Sequence, residues 1–202
     1  MKNKLFLIIS LLLLGVTPVA AQNDVPAADP ASIAASDPTF NFPSAEKRFE
    51  RFLKKTAGPG ALVGAGIGST FQQIGNAPPE WEKTTKGFFR RYASNLGENA
   101  LEQTTEYALS EALGQDPAYS KCGCGEISKR TIYALKSGFT ARNRRGKTVF
   151  SAPKLVAPFA GSITAVKVWY PKRYSVQDGV RRGSYGFAFN VGFNLIREFV
   201  FK

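Results

Sequence analysis

Histidine is absent from all 202 residues of this chain. That absence removes Ser-His-Asp and Cys-His catalysis, imidazole metal ligands and imidazole acid–base chemistry together. An enzyme built from it would depend on carboxylates, lysine, tyrosine or cysteine, and no constellation of these stands out. No catalytic residue, cofactor or metal is therefore assigned, and the expectation is a protein that is not an enzyme. Cysteine is almost absent as well. Cys122 and Cys124 are the only two, and two thiolates without histidine are too few for a zinc site. Acidic residues are outnumbered by basic ones, 15 against 27. The apolar run Leu5–Val16 is too short to be a normal spanning helix, which needs ~20 residues.

That short run has another reading. Met1-Lys2-Asn3-Lys4 is a basic leader, Leu5–Val16 an apolar segment, and Val19-Ala20-Ala21 the small-residue pattern a signal peptidase accepts. Cleavage after Ala21 leaves Gln22 as the first residue, and no cysteine follows to carry a lipid anchor. Residues 22–43 are rich in Ala, Pro, Asp and Ser, lack any apolar period, and read as a disordered linker. Residues 44–202 form one domain. Without Lys2 and Lys4 the chain keeps 25 basic against 15 acidic residues, a net +10. In an exported protein that excess points to anionic lipid or envelope polymers before nucleic acid.

Glycine is plentiful in residues 58–75. Gly60, Gly64 and Gly68 recur every fourth residue, so on a helix they form one groove. Each costs roughly 0.5–1 kcal/mol relative to alanine in a helix interior. Such a stripe is expected where another backbone packs closely, the small-xxx-small logic of tightly packed helices. Ala157, Gly161 and Ala165 repeat the spacing, and Ser184, Ala188 and Gly192 repeat it again. The expected fold is therefore all-α, a bundle of five or six helices, three of which meet through these small-residue grooves, a glycine zipper in effect.

The remaining helices follow from caps and periodicity. Ser44 caps a helix over Ala45–Thr56 whose Phe49, Phe52 and Leu53 share one face. Its other faces carry Lys47, Arg48, Arg51, Lys54 and Lys55, which suit either a membrane surface or water. A helical pattern runs from Glu80 to Leu113, with an interruption near Gly97. Glu98, Glu102 and Glu106 form an acidic stripe on it, open to a cation, a basic partner or the chain's own arginines. Cys122 and Cys124 are expected to pair locally as a loop staple. Ile127–Arg142 reads as a helix, followed by a basic turn over Arg142–Lys147. Leu155–Tyr170 is the next helix. Ser175 and Asp178 match a capping box for a last helix to about Phe201.

The last segment carries two conflicting periods. Tyr185, Phe187, Phe189, Val191, Phe193 and Leu195 alternate as in a barrel strand. The four-residue small spacing favours a helix, with a β-rich, outer-membrane-like C-terminal part as the alternative.

Several stretches together resemble a known pattern. They are Gly64-Ala65-Gly66-Ile67-Gly68, Gln115-Asp116-Pro117-Ala118-Tyr119, Tyr133–Arg142, Trp169-Tyr170-Pro171 and Val191–Phe199. Their order resembles a family of exported bacterial proteins, commonest in soil acidobacteria, over residues 50–200. No established activity and no catalytic residue come with that family. Its pattern continues with Trp-Pro-Asp where this chain has Val200-Phe201-Lys202. The expected role is a non-enzymatic envelope or membrane-associated structural or interaction protein, in the periplasm or outer envelope. Its expected partner is a membrane or envelope component, with homo-oligomerisation as a further option. No nucleic acid and no small-molecule substrate are expected. A soluble periplasmic binding or enzymatic domain is the alternative.

Overall fold

The computed structural model describes residues 40–200. The expected signal peptide, its cleavage after Ala21, and the expected linker up to residue 39 lie outside the described residues. Among these, six α-helices account for most of the chain, as the bundle reading requires.

Helix α1 spans Ala45–Ala57 and starts where Ser44 Oγ accepts from Lys47 N. Pro59 opens α2, Pro59–Ile74, at a position where a missing N–H costs nothing. A short 3-10 turn, Pro79–Trp81, precedes α3, Thr85–Leu113, which Thr84 caps by accepting from Gly87 N at 3.1 Å. The expected break near Gly97 is not there. The Trp169 ring lies 3.4 Å from where a Cβ on Gly97 would stand, so that glycine makes room for an indole. Helix α3 stops at Gly114, whose φ of 60° lies in the left-handed region that glycine adopts freely.

The expected helix over residues 127–142 is shorter than its apolar spacing suggests. Helix α4 is Ile127–Lys136, and the chain then extends into β2, Thr140–Asn143. A strand β1, Gln115–Asp116, and a strand β3, Thr148–Phe150, flank β2 in an antiparallel sheet. The basic stretch Arg142–Lys147 is the hairpin turn of that sheet. Asn143 Oδ1 accepts from the N–H groups of Arg145 and Lys147 at 2.9 and 3.0 Å, with Gly146 at φ 74°.

Helix α5, Ala152–Val168, contains Pro158 in its interior rather than in its first turn, and α6 is Val176–Phe199. Asp178 accepts from Ser175 N at 2.9 Å, which closes the capping box. Residues 176–199 are helical, so the barrel-strand alternative falls. On a helix, positions two apart differ by 200°, so an alternating pattern divides between opposite faces. Phe187 packs on Phe139 at 5.0 Å, and Val191 meets Gly138, whereas Tyr185 and Phe189 point to solvent.

Helix α3 is the hub. It packs most extensively on α5, and also on α2 and α1; α6 covers α5, and α4 rests on α6. The buried apolar cluster is small, built from Trp81, Ala165, Val166 and Tyr170 with Trp169 and Tyr174 around them.

Candidate functional site

The three small-residue stripes meet different fates. A Cβ on Gly161 would come 2.8 Å from Glu98 O and 3.2 Å from Glu102 N, so the α5 and α3 backbones touch there. Ala157 and Ala165 are completely buried on either side of it. The other two stripes do not join helices. Gly60 and Gly64 have no atom within 4 Å of an added Cβ, and Gly68 meets only the Asn95 side chain at 3.2 Å. The contact face of α2 is turned away from Gly60 and Gly64. It carries Ala65 and Ser69, where Asn95 Nδ2 donates to Ser69 Oγ at 2.9 Å. Ser184 and Ala188 are exposed, and Gly192 has open space. What joins α6 to α5 is Gly179 and Gly183. Cβ atoms there would stand 2.9 Å from the Cα atoms of Ile163 and Phe159. The three grooved helices therefore do not meet through three stripes.

The interior between these helices is polar. The acidic stripe on α3 pairs with the chain's own groups. Glu98 takes two hydrogen bonds from Arg182 Nη2 at 2.9 and 3.0 Å and one from the Tyr170 hydroxyl at 2.9 Å. Glu106 holds Lys55 at 2.6 Å. Glu102 accepts from Asn190 Nδ2 at 2.8 Å, and burial nevertheless raises its pKa above the usual carboxylate range. Lys154 donates from Nζ to the carbonyls of Ser137 and Thr140, both at 2.7 Å, and burial lowers its pKa to about 8.

Two charged side chains are sealed almost completely. Among the described residues Arg91 has no carboxylate partner and instead donates to the carbonyls of Ala77, Pro78 and Glu82 and to Gln73 Oε1 at 2.6–3.0 Å. It pins the turn between α2 and α3. Glu198 fixes the opposite end. It accepts from the Tyr119 hydroxyl at 2.5 Å, Arg130 Nε at 2.8 Å and Cys122 N at 3.2 Å. Burial would raise its pKa, but the bonds from Tyr119, Arg130 and the Cys122 amide outweigh that and hold it low. Cys122 and Cys124 are disulfide-bonded, so the loop they close is anchored to the last turn of α6 through one buried carboxylate. Nothing in the sequence around Glu198 marks it for this role.

Polar groups inside leave apolar groups outside. Eight apolar residues are buried among the described residues, whereas twenty-three large apolar side chains are exposed. On α2, Val63, Ile67, Phe71 and Ile74 form one stripe, with Phe71 71% exposed. Gly60 and Gly64 lie in that outward face. On α6, Tyr185, Phe189 and Ile196 form a second stripe, with Phe189 stacked on Phe193 at 6.0 Å. No described helix is long and apolar enough to cross a membrane, and no group of described residues could hold a metal ion. Compared with known proteins, the chain matches no family model, no curated protein and no solved structure. The site must be read from this geometry alone.

Residues 40–43, the end of the expected linker, are docked. Phe40 lies under the Arg142 guanidinium at 4.9 Å and Phe42 under that of Arg48 at 4.8 Å. Arg48 also donates to Pro43 O and grips Glu111, which carries the segment onto α1 and α3.

Proposed function

We propose that this chain is a non-enzymatic envelope protein that lies against an anionic membrane surface, exported by way of residues 1–21. One observation carries the reading, the inversion of burial. The largest fully buried side chains are Arg91 and Glu198, while Phe71, Phe189 and the stripes around them face outward. Exposed contiguous apolar faces on a folded chain mark a place where something else supplies the apolar cover. The net +10 that remains without Lys2 and Lys4 selects a bilayer with anionic headgroups as that cover, since each cation near such a surface adds about 1 kcal/mol of attraction. Helices with one apolar face and a basic periphery can lie in the interface plane, so this reading asks for no spanning helix. The resemblance to exported bacterial proteins without an established activity is compatible with it and contributes no residue role.

A carbonate wash of membranes from cells making the protein tests the reading. Alkaline carbonate strips peripheral proteins held by charge alone. The apolar stripes predict that most of this protein stays with the membrane pellet. Full release into the supernatant would favour a soluble periplasmic domain instead.

A further inference from the structure

The Arg51 and Lys55 side chains of α1 form a wall between two spaces. On one side, between α1 and α3, is a narrow gap of about 50 Å3 that includes Glu106 and Asp116. These carboxylates pair with Lys55 at 2.6 Å and with Arg51 at 3.0 Å. On the other side opens a hollow of about 660 Å3, within the range of small-molecule sites. Arg51, Lys54 and Lys55 line it from α1, Lys121 from the cysteine loop and Arg197 from α6. Among the described residues, no carboxylate lines it. Lys54 pairs with Glu50, which also lies outside the lining. The acids that neutralise Arg51 and Lys55 therefore sit behind this wall, outside the hollow.

Aromatic surface completes the lining. Tyr119 is fixed by its bond to Glu198, and Phe193 lies under the Arg197 guanidinium at 5.1 Å. Arg197 makes no ion pair among the described residues. A concave surface with one sign of charge focuses the potential and raises the local concentration of counter-ions. A phosphate dianion offers three acceptor oxygens to a guanidinium fork and ammonium groups, which a single carboxylate cannot match.

We propose that this hollow binds a phosphate-bearing organic anion, with its phosphate among the cations and its carbon part against Tyr119 and Phe193. The site goes beyond the membrane reading and meets the apolar stripes only where Phe193 stacks on Phe189. Its natural source is either an anionic lipid headgroup or a free phosphate ester.

Calorimetric titration of the whole chain at low salt, with phenyl phosphate as probe, tests the proposal. One saturable site is expected, tighter for phenyl phosphate than for inorganic phosphate. Arg197→Ala should weaken it about tenfold, a typical loss for one charge-assisted contact. Arg197→Lys should weaken it less. Arg145→Ala, in the hairpin turn, should leave it unchanged. Circular dichroism checks that each variant is folded, and Lys54→Ala serves in place of Arg197→Ala if that one is not. No saturable binding, or an equal loss from Arg145→Ala, overturns the site. Flotation with phosphatidylglycerol vesicles separates the sources. Displacement of the vesicles by phenyl phosphate assigns a headgroup, and independent binding assigns a free ester. Phenyl phosphate binding without flotation keeps the hollow and rejects the membrane reading. Flotation without phenyl phosphate binding does the reverse.

Discussion

Removing the charge from Glu198 and from Glu102 should move stability in opposite directions, because one carboxylate is over-provided with donors and the other is not. Glu198→Gln leaves Arg130 without its counter-ion and Tyr119 without its anionic acceptor. Breaking a buried pair costs ~3–5 kcal/mol, and a loss of about 3 kcal/mol is expected because Arg130 remains partly exposed. Glu102→Gln keeps an acceptor for Asn190 and removes a desolvated charge, so it should stabilise by about 0.5–1 kcal/mol at pH 7. The folded pKa of Glu198 is lowered, so its contribution is present above the ordinary value of 4.5 and lost as pH falls. The folded pKa of Glu102 is raised, so its penalty disappears earlier, as pH falls through that raised value to 4.5. Denaturant melts at pH 7 and pH 4 should show the Glu102→Gln gain largely gone at pH 4, where the Glu198→Gln loss has only begun to shrink. Lys154 acts at the alkaline end. Its folded pKa of about 8 lies below the ordinary 10.5, so the unfolded chain binds the extra proton and stability should rise from pH 8 toward 10. Tyr119 and Tyr170, both raised from 10.0, reverse the trend above pH 10. In Lys154→Met the rise between pH 8 and 10 should be absent from the thermal melts.

Identical spacing on two helices conceals opposite environments. Gly161→Ala would drive a Cβ into Glu98 O at 2.8 Å and should cost ~1–3 kcal/mol. Gly64→Ala meets nothing within 4 Å and should stabilise by about 0.5–1 kcal/mol through helix propensity alone. Chemical denaturation of both variants reads the two signs. A Gly64→Ala loss as large as that of Gly161→Ala would mean that a helix does pack on the outer face of α2. The comparison also shows what the sequence carries. Caps such as Ser44 and Ser175 are local signals, so most helix positions were legible, although the start expected at Glu80 lies at Thr85, behind the Thr84 cap. A four-residue glycine stripe says that a helix has a smooth face but not what lies across from it. On α6 the contact pair Gly179 and Gly183 lies one position out of phase with the stripe Ser184, Ala188, Gly192, and spacing alone does not choose between them. The strands of the small sheet have two to four residues each, too few to show a period. Glu198 was illegible for a related reason, since its partners Tyr119, Cys122 and Arg130 come from sequence positions 68–79 residues away.

At the scale of the whole molecule, charge and apolar surface carry the account, and both were largely visible in composition. What composition does not show is the exchange of places between them, with Arg91 and Glu198 inside and Phe71 and Phe189 outside. Flotation of the purified chain with vesicles tests this directly. The chain should float with phosphatidylglycerol vesicles and much less with phosphatidylcholine vesicles. Phe71→Glu and Phe189→Glu change exposed positions, so they should melt within about 0.5 kcal/mol of wild type. Placing a carboxylate in each apolar face should nevertheless abolish flotation of the double variant. Flotation that survives both substitutions, or a wild-type chain that stays in solution beside phosphatidylglycerol vesicles, would contradict the reading of these faces as a membrane surface.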